Sequence, residues 1–82
     1  MGTVPTDFSG GDVVKVLTGY GYRITSRSGS HVTLREERDT GEVRRTTVPM
    51  HDRVSIGTLR GIADDVGAND FENFCRWIDN NR

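Results

Sequence analysis

Apolar residues recur along the chain with two different periods. Residues 1–8 show no period and read as a flexible N-terminal tail. Val13, Val14, Leu17 and Tyr20 then fall at helical spacing on one face. Ser9 stands where a helix N-cap belongs, with Asp12 three positions on as its capping-box partner, and Gly19 and Gly21 mark the end. The spacing predicts a helix from Ser9 to about Tyr20. From Tyr22 the period drops to two. Tyr22 and Ile24 alternate with Arg23, Thr25 and Arg27, and after a Ser28-Gly29-Ser30 turn Val32 and Leu34 alternate with His31, Thr33 and Arg35. A loop over "RDTGE" leads to a third strand in "VRRTTVPM", with Pro49 at its end or at an edge position. The helical period then returns. Ser55 caps a stripe of Ile56, Leu59, Ile62, Ala63 and Val66 that closes at Gly67. Asn69, with Glu72 three residues later, caps a last helix over 69–80 whose apolar face is Phe71, Phe74, Cys75 and Ile78.

The order is α-β-β-β-α-α. The second hairpin carries its own register test. If the loop centres on Thr40, Val32 meets Val48 on one face, while Thr33 meets Thr47 and Arg35 meets Arg45 on the other, the face of His31. One face is then apolar and the other polar and basic. That is the pattern of an α+β domain whose three-stranded antiparallel sheet is covered by helices on one side only. Two arginines side by side repel each other, so the Arg35–Arg45 pair points to an anion between them unless Glu36, Glu37 or Glu42 compensates.

Eighty-two residues make one domain, residues 9–82 once the tail is set aside. No run approaches the length of a membrane helix and the N-terminus lacks a signal-peptide pattern, so the expected location is cytoplasmic. A single cysteine, Cys75, forms no internal disulfide and reads as a small core residue. The net charge of −1 hides an uneven distribution. Residues 22–60 hold eight Arg and five acids, net +3, whereas residues 61–82 hold two Arg and five acids, net −3. A near-neutral chain is not a non-specific nucleic-acid binder, yet a focused basic site survives in the strand region.

The candidate chemistry is sparse. No H-x-x-x-H, C-x-x-C or acidic calcium loop offers a metal site, no G-x-S-x-G elbow offers a serine nucleophile, and "GYG" closes a helix rather than opening one. No cofactor is expected. His31 remains. An imidazole gives and takes protons near neutral pH, and RNA brings its own nucleophile in the 2′-hydroxyl. A histidine on a surface bearing Ser and Arg therefore meets much of what RNA cleavage requires. On residues alone, an exposed turn histidine without a role stays open as the competing reading.

Three pieces of the chain, "GDVVKVLTGYGYRITSRSGSHVTLR", "TTVPMH" and "SIGTLRGIADDVG", occur in an order that resembles the HicA (YcfA-like) toxins of prokaryotic toxin–antitoxin pairs. The resemblance covers about residues 9–67, and the last helix extends past the usual short form. It implies a double-stranded-RNA-binding-domain-like fold, α-β-β-β-α with an extra C-terminal helix. It also implies a metal-independent mRNA interferase that a HicB-type antitoxin neutralises, acting on mRNA and not on membranes or, by itself, on DNA. The family's catalytic histidine falls on His31, in Gly29-Ser30-His31. His51 follows the Val-Pro pair and is a possible auxiliary together with Ser30, while Met50 stands where the family often has a second histidine. Gly29, Arg27, Arg35, Arg45 and Arg60 are the candidate RNA-binding residues. A non-catalytic RNA-binding module and a protein-interaction domain are the alternatives.

Overall fold

The computed structural model describes residues 3–82; residues 1 and 2 of the expected tail lie outside the described residues. Six elements follow in order: α1 (Gly10–Gly19), β1 (Arg23–Ser28), β2 (His31–Glu37), β3 (Val43–Pro49), α2 (Ile56–Asp65) and α3 (Phe71–Asn81). The strands form one antiparallel sheet in the order β1-β2-β3. This is the expected α+β arrangement, with α3 as the extra helix.

The α1 capping box forms as the sequence predicts. The Ser9 hydroxyl accepts from the Asp12 N–H at 3.0 Å, and the Asp12 carboxylate accepts from the Ser9 N–H at 3.1 Å. That backbone donor, reinforced by Arg82, holds the Asp12 carboxyl below its ordinary pKa. Ser55 caps α2 as expected. At α3 the cap is Asp70 rather than Asn69, because it is the Asp70 carboxylate that accepts from the Asn73 N–H at 3.1 Å.

The second hairpin has the predicted register: Val32 opposite Val48, Thr33 opposite Thr47 and Arg35 opposite Arg45. Val32, Leu34 and Val48 enter the core with Val13, Leu17, Leu59, Ile62, Phe74 and Ile78. Thr46 is buried on the same face and donates its hydroxyl proton to the Asp65 carboxylate at 2.9 Å, so no polar group there goes unpaired. Cys75 is fully buried in this core, and burial pushes its thiol pKa up.

Three core assignments change. Val16, not Tyr20, completes the buried face of α1; Tyr20 is 52 % exposed, its ring T-stacked with Trp77 at 4.8 Å between centroids and its hydroxyl donating to the Asn81 side-chain oxygen at 3.0 Å. Ile56 is 48 % exposed in the first turn of α2. Phe8, placed in the tail by its lack of period, is fully buried, and its carbonyl accepts from the Val54 N–H. The first strand also departs from a half-buried pattern. Helices α1 and α2 pack against β3, at the opposite edge of the sheet from β1, and every residue of β1 is exposed, Ile24 included. Tyr22, just before β1, is the aromatic that reaches the core.

Candidate active site

His31 opens β2 directly after a two-residue turn. Ser28 pairs with His31, and Gly29 between them takes φ 58° while Ser30 keeps a negative φ. A tight hairpin of this kind needs a left-handed residue at its first central position, which only glycine supplies without strain. Gly29 thus fixes where the His31 backbone begins its strand. On the other side His31 pairs with Pro49, and the Ser30 carbonyl accepts from the Met50 N–H. The chain continues to His51, whose carbonyl accepts from the Gly10 N–H at 2.9 Å. The first hairpin turn, the end of β3 and the start of α1 therefore meet at one end of the sheet. Ser30, His31 and His51 are brought together there. Both histidines are exposed, and neither imidazole hydrogen-bonds to another of the described residues.

Residues opposite each other in a sheet share a face, so the pairing defines what surrounds His31. Three rows cross the open face. The first is Ser28 and His31, with the buried Pro49 at its end; the second is Ser26, Thr33 and Thr47; the third is Arg23, Arg35 and Arg45. The Thr33 and Thr47 hydroxyls share a hydrogen bond of 3.2 Å. Glu37 lies beside the third row, 3.2 Å from the Arg35 guanidinium and 4.0 Å from that of Arg23. Glu36 and Glu42 pair instead with Arg38 and Arg44. Of the acids that could offset the Arg35–Arg45 pair, only Glu37 does so, and Arg45 has no ion pair among the described residues.

Two candidate cations are not part of this face. The first strand bulges between Ile24 and Ser26, which resets its alternation and places Arg27 opposite Val32, on the side away from His31. Arg60 lies 4.3 Å over the Phe71 ring, between α2 and α3. Conversely, Arg23 joins the site without having been singled out. The two-residue turn would have disclosed it, since counting back from the Ser28–His31 pair sets Arg23 close to Arg35, but the bulge breaks a simple count. Among the described residues no three His, Cys, Asp or Glu side chains cluster as metal ligands. No described helix is long and apolar enough to cross a membrane. A hollow of about 490 Å³ lined by Tyr20, Tyr22, Arg44 and Trp77 holds none of these site residues.

The family model described as the HicA toxin of bacterial toxin–antitoxin systems matches residues 10–68, from the first residue of α1 to just past the end of α2. The chain belongs to the HicA toxin family. The matched span contains His31, His51 and all three rows of the open face, and it stops short of α3, so that helix is an addition to the HicA core. No curated protein and no solved structure matches the chain. As a HicA member the protein is a toxin of a toxin–antitoxin pair, with an antitoxin as its partner.

Proposed function

We propose that this HicA protein is a metal-independent endoribonuclease acting on mRNA, with His31 as its general acid or base. The observation that supports the reading is the position of His31. It is a solvent-facing imidazole fixed at a strand start by a glycine turn, on the one sheet face that the helices leave uncovered. The 2′-oxygen of the RNA attacks the adjacent phosphorus as its proton leaves, and the P–O5′ bond breaks as the 5′-oxygen gains a proton. The products are a 2′,3′-cyclic phosphate and a free 5′-hydroxyl. His31 takes part in this proton traffic, and His51, on the neighbouring segment, is the auxiliary. The Gly29-Ser30 turn and the Ser30 hydroxyl place the scissile phosphate. Arg35 and Arg45 bind RNA elsewhere on the open face. A HicB-type antitoxin that covers this face silences the toxin, since it removes both the imidazole and the arginines from reach.

The chemistry of the product ends tests this reading. RNA incubated with the purified protein in excess chelator is expected to yield 5′ fragments ending in a 2′,3′-cyclic phosphate, or in the monophosphate left by its opening, and 3′ fragments starting with a 5′-hydroxyl. Fragments with a 3′-hydroxyl and a 5′-phosphate would mean that water is the nucleophile, and intact RNA that is merely retarded on a gel would mean a binding module.

A further inference from the structure

The third row of the open face extends the expected Arg35–Arg45 pair by a third arginine. Three arginines, Arg23, Arg35 and Arg45, stand side by side across three strands, although like charges opposite each other in a sheet are unfavourable. One carboxylate serves the row. Glu37 reaches Arg35 and, at the limit of an ion pair, Arg23, and leaves Arg45 without an ion pair among the described residues. The members are open to water, with side chains 72 % exposed at Arg23, 41 % at Arg35 and 59 % at Glu37. Ion pairs this exposed contribute little and exchange readily.

Arg35 lies four residues beyond His31 on the same strand, about 13 Å along β2. A phosphate held at His31 is therefore not the one held by the row. We infer that Arg23, Arg35 and Arg45 form a separate subsite for a second phosphate of the same RNA strand, about 13 Å from the cut, and that Glu37 occupies this subsite until RNA displaces it. The row of hydroxyls at Ser26, Thr33 and Thr47 lies between the two positions and floors the path of the strand. This inference rests on the reading of the substrate as RNA. It assigns Arg23 and Glu37 roles in substrate binding, and it gives Arg35 and Arg45 one shared phosphate to hold. It also reconciles a nearly neutral chain with a polyanionic substrate: the subsite carries its own anion, which RNA replaces.

Binding of a fluorescent 2′-O-methyl oligouridylate dodecamer, followed by anisotropy, tests the subsite apart from cleavage, because this probe has no 2′-hydroxyl to attack. Arg45→Ala is expected to weaken binding about fivefold at about 0.1 M salt and to lower the slope of log affinity against log salt by about 0.7, the effect of one lost phosphate contact on a single strand. Arg23→Ala acts in the same direction. Glu37→Gln has the opposite sign and tightens binding roughly two- to fivefold, since the competing carboxylate is gone. The charge-matched controls Arg76→Ala and Glu72→Gln, which break an ion pair on α3, leave binding unchanged. The inference is overturned if the open-face variants behave like these controls, if Glu37→Gln weakens binding, or if the wild-type protein does not bind the probe. Failure of the proposed enzyme activity reads differently: the binding pattern above is then found with a protein that leaves ordinary RNA uncut. Conversely, loss of cleavage in His31→Ala with no response at Arg23, Glu37 and Arg45 retains the enzyme and removes the subsite.

Discussion

Replacing His31 by alanine is expected to abolish both RNA cleavage and growth arrest while leaving the fold intact. A positioned general acid or base contributes about a hundredfold to ten-thousandfold in rate, so residual cleavage should fall below a percent of wild type. Stability should change by no more than about 0.5 kcal/mol, because the side chain is exposed and makes no hydrogen bond to the described residues. Rate assays and thermal unfolding of the same preparation check both halves. A mutant that loses its melting transition would make His31 a structural residue. The companion change His51→Ala should cost less, since His51 lies on the loop beyond β3 and not on the strand that carries the site. Equal losses at the two positions would point to a mechanism that shares the acid and base roles between two histidines.

Gly10→Ala, far less conspicuous in the sequence, is expected to be among the most destabilising single substitutions in the protein. A β-carbon there would sit 2.2 Å from the Pro49 carbonyl oxygen and 2.7 Å from the Met50 Cα. Both are backbone atoms, so no side chain can swing aside, and α1 must move away from the end of β3. Overpacking costs about 1–3 kcal/mol, and a clash between backbone atoms belongs at the upper end, which for a domain of this size lowers Tm by about 12–24 °C. The damage also reaches the site, because the segment displaced runs from Pro49, the strand partner of His31, to His51. Gly11→Ala provides the contrast. Its β-carbon would find only the Ser9 hydroxyl at 3.6 Å, an ordinary contact, and alanine favours the helix by up to about 1 kcal/mol. Thermal melts of the two variants should therefore move in opposite directions, and a Gly10→Ala protein as stable as wild type would show that the helix and strand are not locked together at this point.

Gly10 also shows why parts of the site were not legible from the chain. Its role depends on a backbone approach between segments about forty residues apart, and nothing in the local pattern around Ser9-Gly10-Gly11 announces it. What could be read were features with a local cause. The capping box at Ser9 and Asp12 involves residues three apart, and the register of the second hairpin follows from matching Val32 to Val48 across one loop. The position of His31 at the head of an alternating strand is legible in the same way. The first strand departs from its sequence pattern because alternation assumes an unbroken pleat. The bulge at Thr25 breaks it, which sends Arg27 to the other face, and the helices do not extend over this edge, which leaves Ile24 exposed. Arg60 illustrates a different limit. Spacing along a helix gives the face of a side chain but not the neighbour it finds, and here that neighbour is the ring of Phe71.

The central claim is that His31 works on the RNA's own 2′-hydroxyl. It is tested most directly with two RNA oligonucleotides that differ at one atom, the second carrying a 2′-deoxy sugar immediately 5′ to the mapped cut, both assayed with the protein in excess chelator. The phosphate contacts are the same in the two, so binding should be equal, and only the nucleophile is missing. The expected result is normal cleavage of the first and none at that position in the second. Efficient cleavage at the deoxy position would contradict the mechanism even in a protein that is beyond doubt a nuclease.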